Sequence, residues 1–86
     1  MSQQIDSIVE VLSELTDDFS VPQNIRRDAQ EVTNALSNEA ETIETRKNRA
    51  FQLLECMVND INIGMFTRTN LLNIVAMVEE LSEKDA

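Results

Sequence analysis

Apolar residues recur at intervals of three and four along almost the whole chain, and that spacing selects helices. Ile5, Ile8, Val9, Leu12, Leu15 and Phe19 fall on one side of a helix over roughly residues 3–17, with Asp6, Glu10, Glu14 and Asp17 opposite. Ser20-Val21-Pro22-Gln23 predicts the next start. A hydroxyl stands at the N-cap, a Pro in the first turn and a Gln at the capping-box position. Ile25, Ala29, Val32 and Leu36 then form a narrow stripe, as expected of a helix that meets a core along one seam. The polar run Asn38-Glu39-Ala40-Glu41-Thr42 is the expected turn. A third helix to about Asn59 is expected to bury Ile43, Ala50, Leu53, Leu54, Met57, Val58 and Ile61. Asn62 is the expected cap of a fourth, whose body Leu71-Leu72-Asn73-Ile74-Val75-Ala76-Met77-Val78 is apolar except at Asn73. The chain holds one Gly and one Pro, so the punctuation of strands and turns is nearly absent and the fold class is all-α. Its 86 residues make one domain, 1–86.

A displacement of 42 residues superposes the two halves. Ile8 falls on Ala50, Leu12 on Leu54, Leu15 on Met57, Phe19 on Ile61, Ala29 on Leu71, Val32 on Ile74 and Leu36 on Val78. Asp18 falls on Asp60 and Arg26 on Arg68, so an Asp-to-Arg spacing of eight recurs. The expected architecture is a four-helix antiparallel bundle built from two quasi-repeated hairpins, 3–37 and 41–83. The alternative is an open two-repeat HEAT-like stack, because Asp18-Phe19-Ser20-Val21-Pro22-Gln23-Asn24-Ile25-Arg26 resembles the turn of such repeats. Two repeats fall below the three or so that a solenoid needs. Each of Arg26 and Arg68 can fold back on its turn, on Asp18 or Asp60 and on loop carbonyls, and lock it.

Two stretches carry a closer resemblance. Val21-Pro22-Gln23-Asn24-Ile25-Arg26-Arg27, and Thr67-Arg68-Thr69 followed by Asn73-Ile74-Val75, are similar to the signatures of an uncharacterised archaeal protein family (the UPF series, number 0147). Length, acidity and motif order agree with it. That family commonly has Pro where Gly64 stands and an aromatic where Leu72 stands. The resemblance implies a four-helix bundle of bromodomain-like type. It implies no activity and supplies no catalytic residues.

Sixteen acidic against seven basic residues give a net charge of −9, which opposes binding to nucleic acid. With no His and only Cys56, His-based triads and most zinc, copper and haem sites are excluded. No cofactor and no metal is expected. The adjacent pairs Asp17-Asp18 and Glu79-Glu80 point about 100° apart on a helix and do not share a pocket. The expectation is therefore a protein that is not an enzyme. No apolar run approaches the roughly 18 residues needed to span a bilayer. The start Met1-Ser2-Gln3-Gln4-Ile5-Asp6 lacks the basic and apolar blocks of a signal peptide, so the expected compartment is the cytoplasm.

What remains is contact with other proteins. The fourth helix has an apolar arc of about 220°, wider than one side of a bundle covers. Leu72 and Met77 lie about 140° apart on it, with Ala76 between them allowing close approach, so at least one is expected at the surface. Arg46, Lys47 and Arg49 form the densest basic patch. The expected function is a protein-interaction module, its partner another protein or a second copy paired through helix four. A self-assembling structural oligomer is the alternative, and a nucleic-acid-associated adaptor through the basic patch is the weakest.

Overall fold

The computed structural model describes residues 3–82. Four helices follow one another: α1 (Gln3–Thr16), α2 (Gln23–Leu36), α3 (Ile43–Val58) and α4 (Met65–Glu79). Each packs on the next in sequence, and α1 also packs on α4, so the four close into a ring. An open HEAT-like stack would set α1 on α3 and α2 on α4. The closed ring corrects that alternative. The cross-section of 20 × 19 Å is two helix diameters each way. The long axis of 35 Å accommodates α3, about 24 Å at 1.5 Å per residue, with a loop at each end.

The apolar stripes meet along the axis. Ile8 and Ala50, Leu12 and Leu54, Leu15 and Met57, Val21 and Ile63, Ala29 and Leu71, Val32 and Ile74, Leu36 and Val78 are all buried. The 42-residue correspondence is thus a correspondence of burial, and each hairpin covers the other's stripe. Small Ala29 and Ala50 are fully buried among larger core neighbours.

Three expectations need correction. Phe19 and Ile61 continue the helical spacing but lie beyond the ends of α1 and α3, and both are exposed, at 85% and 90%. Ser20 is not the cap of α2. That helix starts at Gln23 behind Pro22, and the Ser20 hydroxyl donates to Asp18 Oδ1 at 2.6 Å. Asn62 is likewise not the cap of α4, which starts at Met65 behind Gly64. In both cases an aspartate two residues upstream has taken the amide of the expected cap. α3 has a true side-chain cap, Thr42, whose hydroxyl accepts from the Thr45 N–H at 3.1 Å.

Candidate functional site

The connections 17–22, 37–42 and 59–64 have one design, and the middle one is a third copy that the 42-residue displacement does not reveal. Asp18, Asn38 and Asp60 each accept, through Oδ1, the backbone N–H two residues on: Ser20 at 2.9 Å, Ala40 at 3.1 Å and Asn62 at 2.7 Å. This is an Asx turn, which ends one helix and re-aims the chain. Eight residues after each acceptor stands an arginine. Arg26 Nε donates to the Val21 carbonyl at 3.1 Å. Arg46 Nε donates to Glu41 O at 3.0 Å and its Nη1 to Leu36 O at 3.4 Å. Arg68 donates to the carbonyls of Val58 and Asp60. The guanidinium satisfies carbonyls left over at the end of the preceding helix and in the loop.

The expected pairs Asp18–Arg26 and Asp60–Arg68 therefore meet differently from the reading above. The arginines bond backbone oxygens, and the carboxylates bond amides. Among the described residues the ion pair within 4 Å is Arg27–Asp28, at 3.8 Å, with the arginine largely exposed. Hydrogen bonds from the Ser20 hydroxyl and amide hold Asp18 below the usual carboxylate range, with Arg26 a lesser influence. The Asn62 amide and then the Asn24 side chain do the same for Asp60, with Arg68 again lesser. A carboxylate lowered in the folded state stabilises the fold above its unfolded pKa of about 3.9 and loses that contribution as the pH falls below it. Asn38 shows that an amide oxygen closes the same turn. Asp18 isolates the linkage, because Asp60 also accepts Asn24 Nδ2 on its second oxygen and an amide nitrogen there would not. Asp18→Asn should keep most of the neutral-pH melting temperature and flatten part of its fall below about pH 4. Asp18→Ala should lower it at both pH values. Equal acid sensitivity in the native and Asn chains would refute the linkage.

The basic patch is dismantled by the same bonds. Arg46 is 7% exposed and occupied with its loop, which corrects its place as an interaction residue. Lys47 Nζ donates to the carbonyls of Glu79 (3.1 Å) and Leu81 (2.7 Å), capping the end of α4 from the neighbouring helix. Arg49 alone stays exposed.

Helix α4 is apolar on two sides. Leu71, Ile74 and Val78 are buried, while Leu72, at 51% exposure, and Ala76 face outward. Met77 is half-buried, packed on the core beside a small cavity shared with Gln4, Ser7 and Ile8 of α1. Met77 thus belongs to the α1–α4 seam, correcting its place in the outer surface. Between α3 and α4 runs a groove of about 270 Å³ lined by Phe51, Glu55, Val58, Asn59, Leu72 and Val75. Sequence reasoning missed a second surface: Phe19, Ile61, Met65 and Phe66 are all more than three-quarters exposed. Asp18 and Asp60 were the available signal, since an Asx turn at each puts the next residue outside the helix. Cys56 is a free, exposed thiol. Among the described residues, no three of His, Cys, Asp and Glu cluster as metal ligands, and no helix is long and apolar enough to cross a membrane.

The fold and its surfaces define a small closed bundle of two quasi-equivalent hairpins with locked turns and exposed apolar patches. Residues 1–81 match the Uncharacterised protein family (UPF0147), and the chain belongs to it. It is 36% identical over 80 residues to the UPF0147 protein of Methanosarcina mazei, covering 93% of this chain and 86% of that one. It is 32% identical over 82 residues to the UPF0147 protein PH1921.2 of Pyrococcus horikoshii, covering 94% and 88%. The crystal structure of a UPF0147 protein from Thermoplasma acidophilum superposes with a TM-score of 0.87 at 34% identity, covering 92% of this chain and 93% of that one. These relatives are archaeal proteins to which no function is attached.

Proposed function

We propose that the chain is a non-enzymatic, cytoplasmic protein-interaction module that engages protein through the outer side of α4. The observation that supports this reading is Leu72, half-exposed above the apolar groove between α3 and α4. Met65, Thr69, Leu72 and Ala76 continue an exposed stripe at spacings of four, three and four, the rhythm at which one helix seats against another. Its small members, Thr69 and Ala76, let a backbone come close. The sequence supports the absence of catalysis, because no base or nucleophile pair accompanies Cys56 or the carboxylates.

A second copy is a specific form of this reading, favoured by charge. From Met65 to Val78 the one charged residue is Arg68, and it is turned into its loop. Two chains of net charge −9 repel least where their uncharged sides meet, and a two-fold contact buries that stripe twice. Leu72→Lys tests both forms. By light scattering, a native dimer should become monomeric with helicity unchanged. A native monomer should stay monomeric and lose the proteins it captures. Unchanged mass together with unchanged capture would end the reading.

A further inference from the structure

We infer that the pole of the bundle formed by the 17–22 loop, the 59–64 loop and the first turn of α4 docks a basic segment of another protein, anchored by apolar side chains. This goes beyond the α4 seam and shares only Met65 with it; Phe19, Ile61 and Phe66 lie outside that stripe. Phe19, Ile61, Met65 and Phe66 are exposed at 85%, 90%, 85% and 79%. They share one end of the molecule. Asn24 Nδ2, in the first turn of α2, donates to Asp60 Oδ2 at 2.9 Å and ties the two loops together. Phe66 follows the second loop directly.

The molecule contains its own control. The middle loop, at the opposite end, has the same Asx turn and the same arginine lock, yet carries Glu39 where its sister loops carry Phe19 and Ile61. The loop therefore folds with a charged residue in that position. Phe19 adds a contact with the Arg26 guanidinium, but the middle loop closes without any such ring, and among the described residues the two loops with an apolar side chain in this position lie at the same pole. Clustered exposed apolar residues mark contact surfaces, and aromatic side chains are the usual anchors.

The surroundings select the partner's charge. Glu14, Asp17 and Glu55 are exposed carboxylates at the ends of α1 and α3 that lead to this pole. Asp18, exposed, and Asp60, half-buried, add two more carboxylates. Two of the three arginines of the pole are already engaged, and the third, exposed, has a carboxylate for a neighbour. Arg26 lies 5.0 Å from the Phe19 ring centroid with its Nε on Val21 O, Arg68 is bonded to two carbonyls, and Arg27 stands beside Asp28. With −9 on the whole chain, an anionic membrane or a nucleic acid is repelled, and a second copy would bring the same acidic rim against itself. Lysine or arginine flanking leucine-like anchors complements both the rim and the centre.

The probe is a labelled amphipathic peptide of leucine and lysine, compared with its leucine–glutamate counterpart and with phosphatidylglycerol vesicles. Anisotropy should show binding of the lysine peptide alone, weakening as salt rises. Phe19→Glu with Ile61→Glu copies the native middle loop, so the fold is retained, and it adds two negative charges. If the pole is the site, affinity should fall at least tenfold despite the added charge. Phe66→Ser should weaken binding in the same direction, and Leu72→Lys should leave it within twofold. Unchanged or tighter binding by the double Glu variant would overturn the proposal, showing attraction by charge alone. Binding of the glutamate peptide or of the vesicles at comparable strength would overturn it too. Loss of binding in Leu72→Lys alone would move the site to α4, overturning the pole and supporting the seam.

Discussion

Leu54→Ala is expected to cost about 2–5 kcal/mol of stability. Leu54 is fully buried in the second half of α3, which packs on both α2 and α4. Truncation removes apolar contact and leaves a hole, and the flanking helices, held by loops locked at both ends, have little freedom to collapse into it. A domain of this size has roughly 5–10 kcal/mol in all, so a loss of that size takes about a fifth of the stability at the least. At about 4–8 °C per kcal/mol, the melting temperature should fall by about 8–40 °C. A thermal scan by circular dichroism decides it. An unchanged midpoint would contradict the burial of Leu54 between α2 and α4.

Arg46→Met should rank next, at about 2–4 kcal/mol. Methionine keeps most of the aliphatic stem but leaves the carbonyls of Leu36 and Glu41 without their donor. A buried acceptor stripped of its partner costs its desolvation, and hydrogen bonds to a charged donor are among the stronger ones. Arg46→Lys should recover little, because one ammonium does not span the two carbonyls that the planar fork reaches. Arg27→Met is the control. Arg27 is exposed, and its loss should change stability by no more than about 0.5 kcal/mol. Urea titration of the three variants orders them, and an Arg46→Met chain as stable as the Arg27→Met chain would refute the lock.

The helices and their pairing were legible because burial in a bundle is written directly in the spacing of apolar residues. Seven matched pairs at 42 residues are buried together, from Ile8 with Ala50 to Leu36 with Val78. The helix ends were less legible. Phe19 and Ile61 are in phase with the stripes before them, and spacing alone carries no mark of where a helix stops. Asp18 and Asp60 are that mark, but it acts through an amide two residues on. The third loop was hidden by a change of residue and of period: Asn38 replaces Asp, and Arg46 follows Arg26 by 20 residues and precedes Arg68 by 22. Arg46 therefore looked like a member of a surface patch with Lys47 and Arg49. The acceptor-to-arginine spacing of eight, present from Asn38 to Arg46 as well, was the signal that distinguishes it. Of the candidate surfaces, the charge-poor outer side of α4 was readable from one helical wheel. The pole was not, because it joins residues 19 and 66 only once the bundle has closed.

The position of Arg46 bears on how two chains can mix. Among the described residues each hairpin is covered by the other, and the two are near-equivalents, so the first half of one molecule would fit the second half of a neighbour. Such domain exchange needs the 37–42 connection to straighten into a hinge. Arg46 reaches back across that connection to Glu41 and Leu36 and holds it bent. The same guanidinium that completes the turn thus keeps the two hairpins of one polypeptide with each other, and makes an intertwined pair of chains the costlier way to fill the same core.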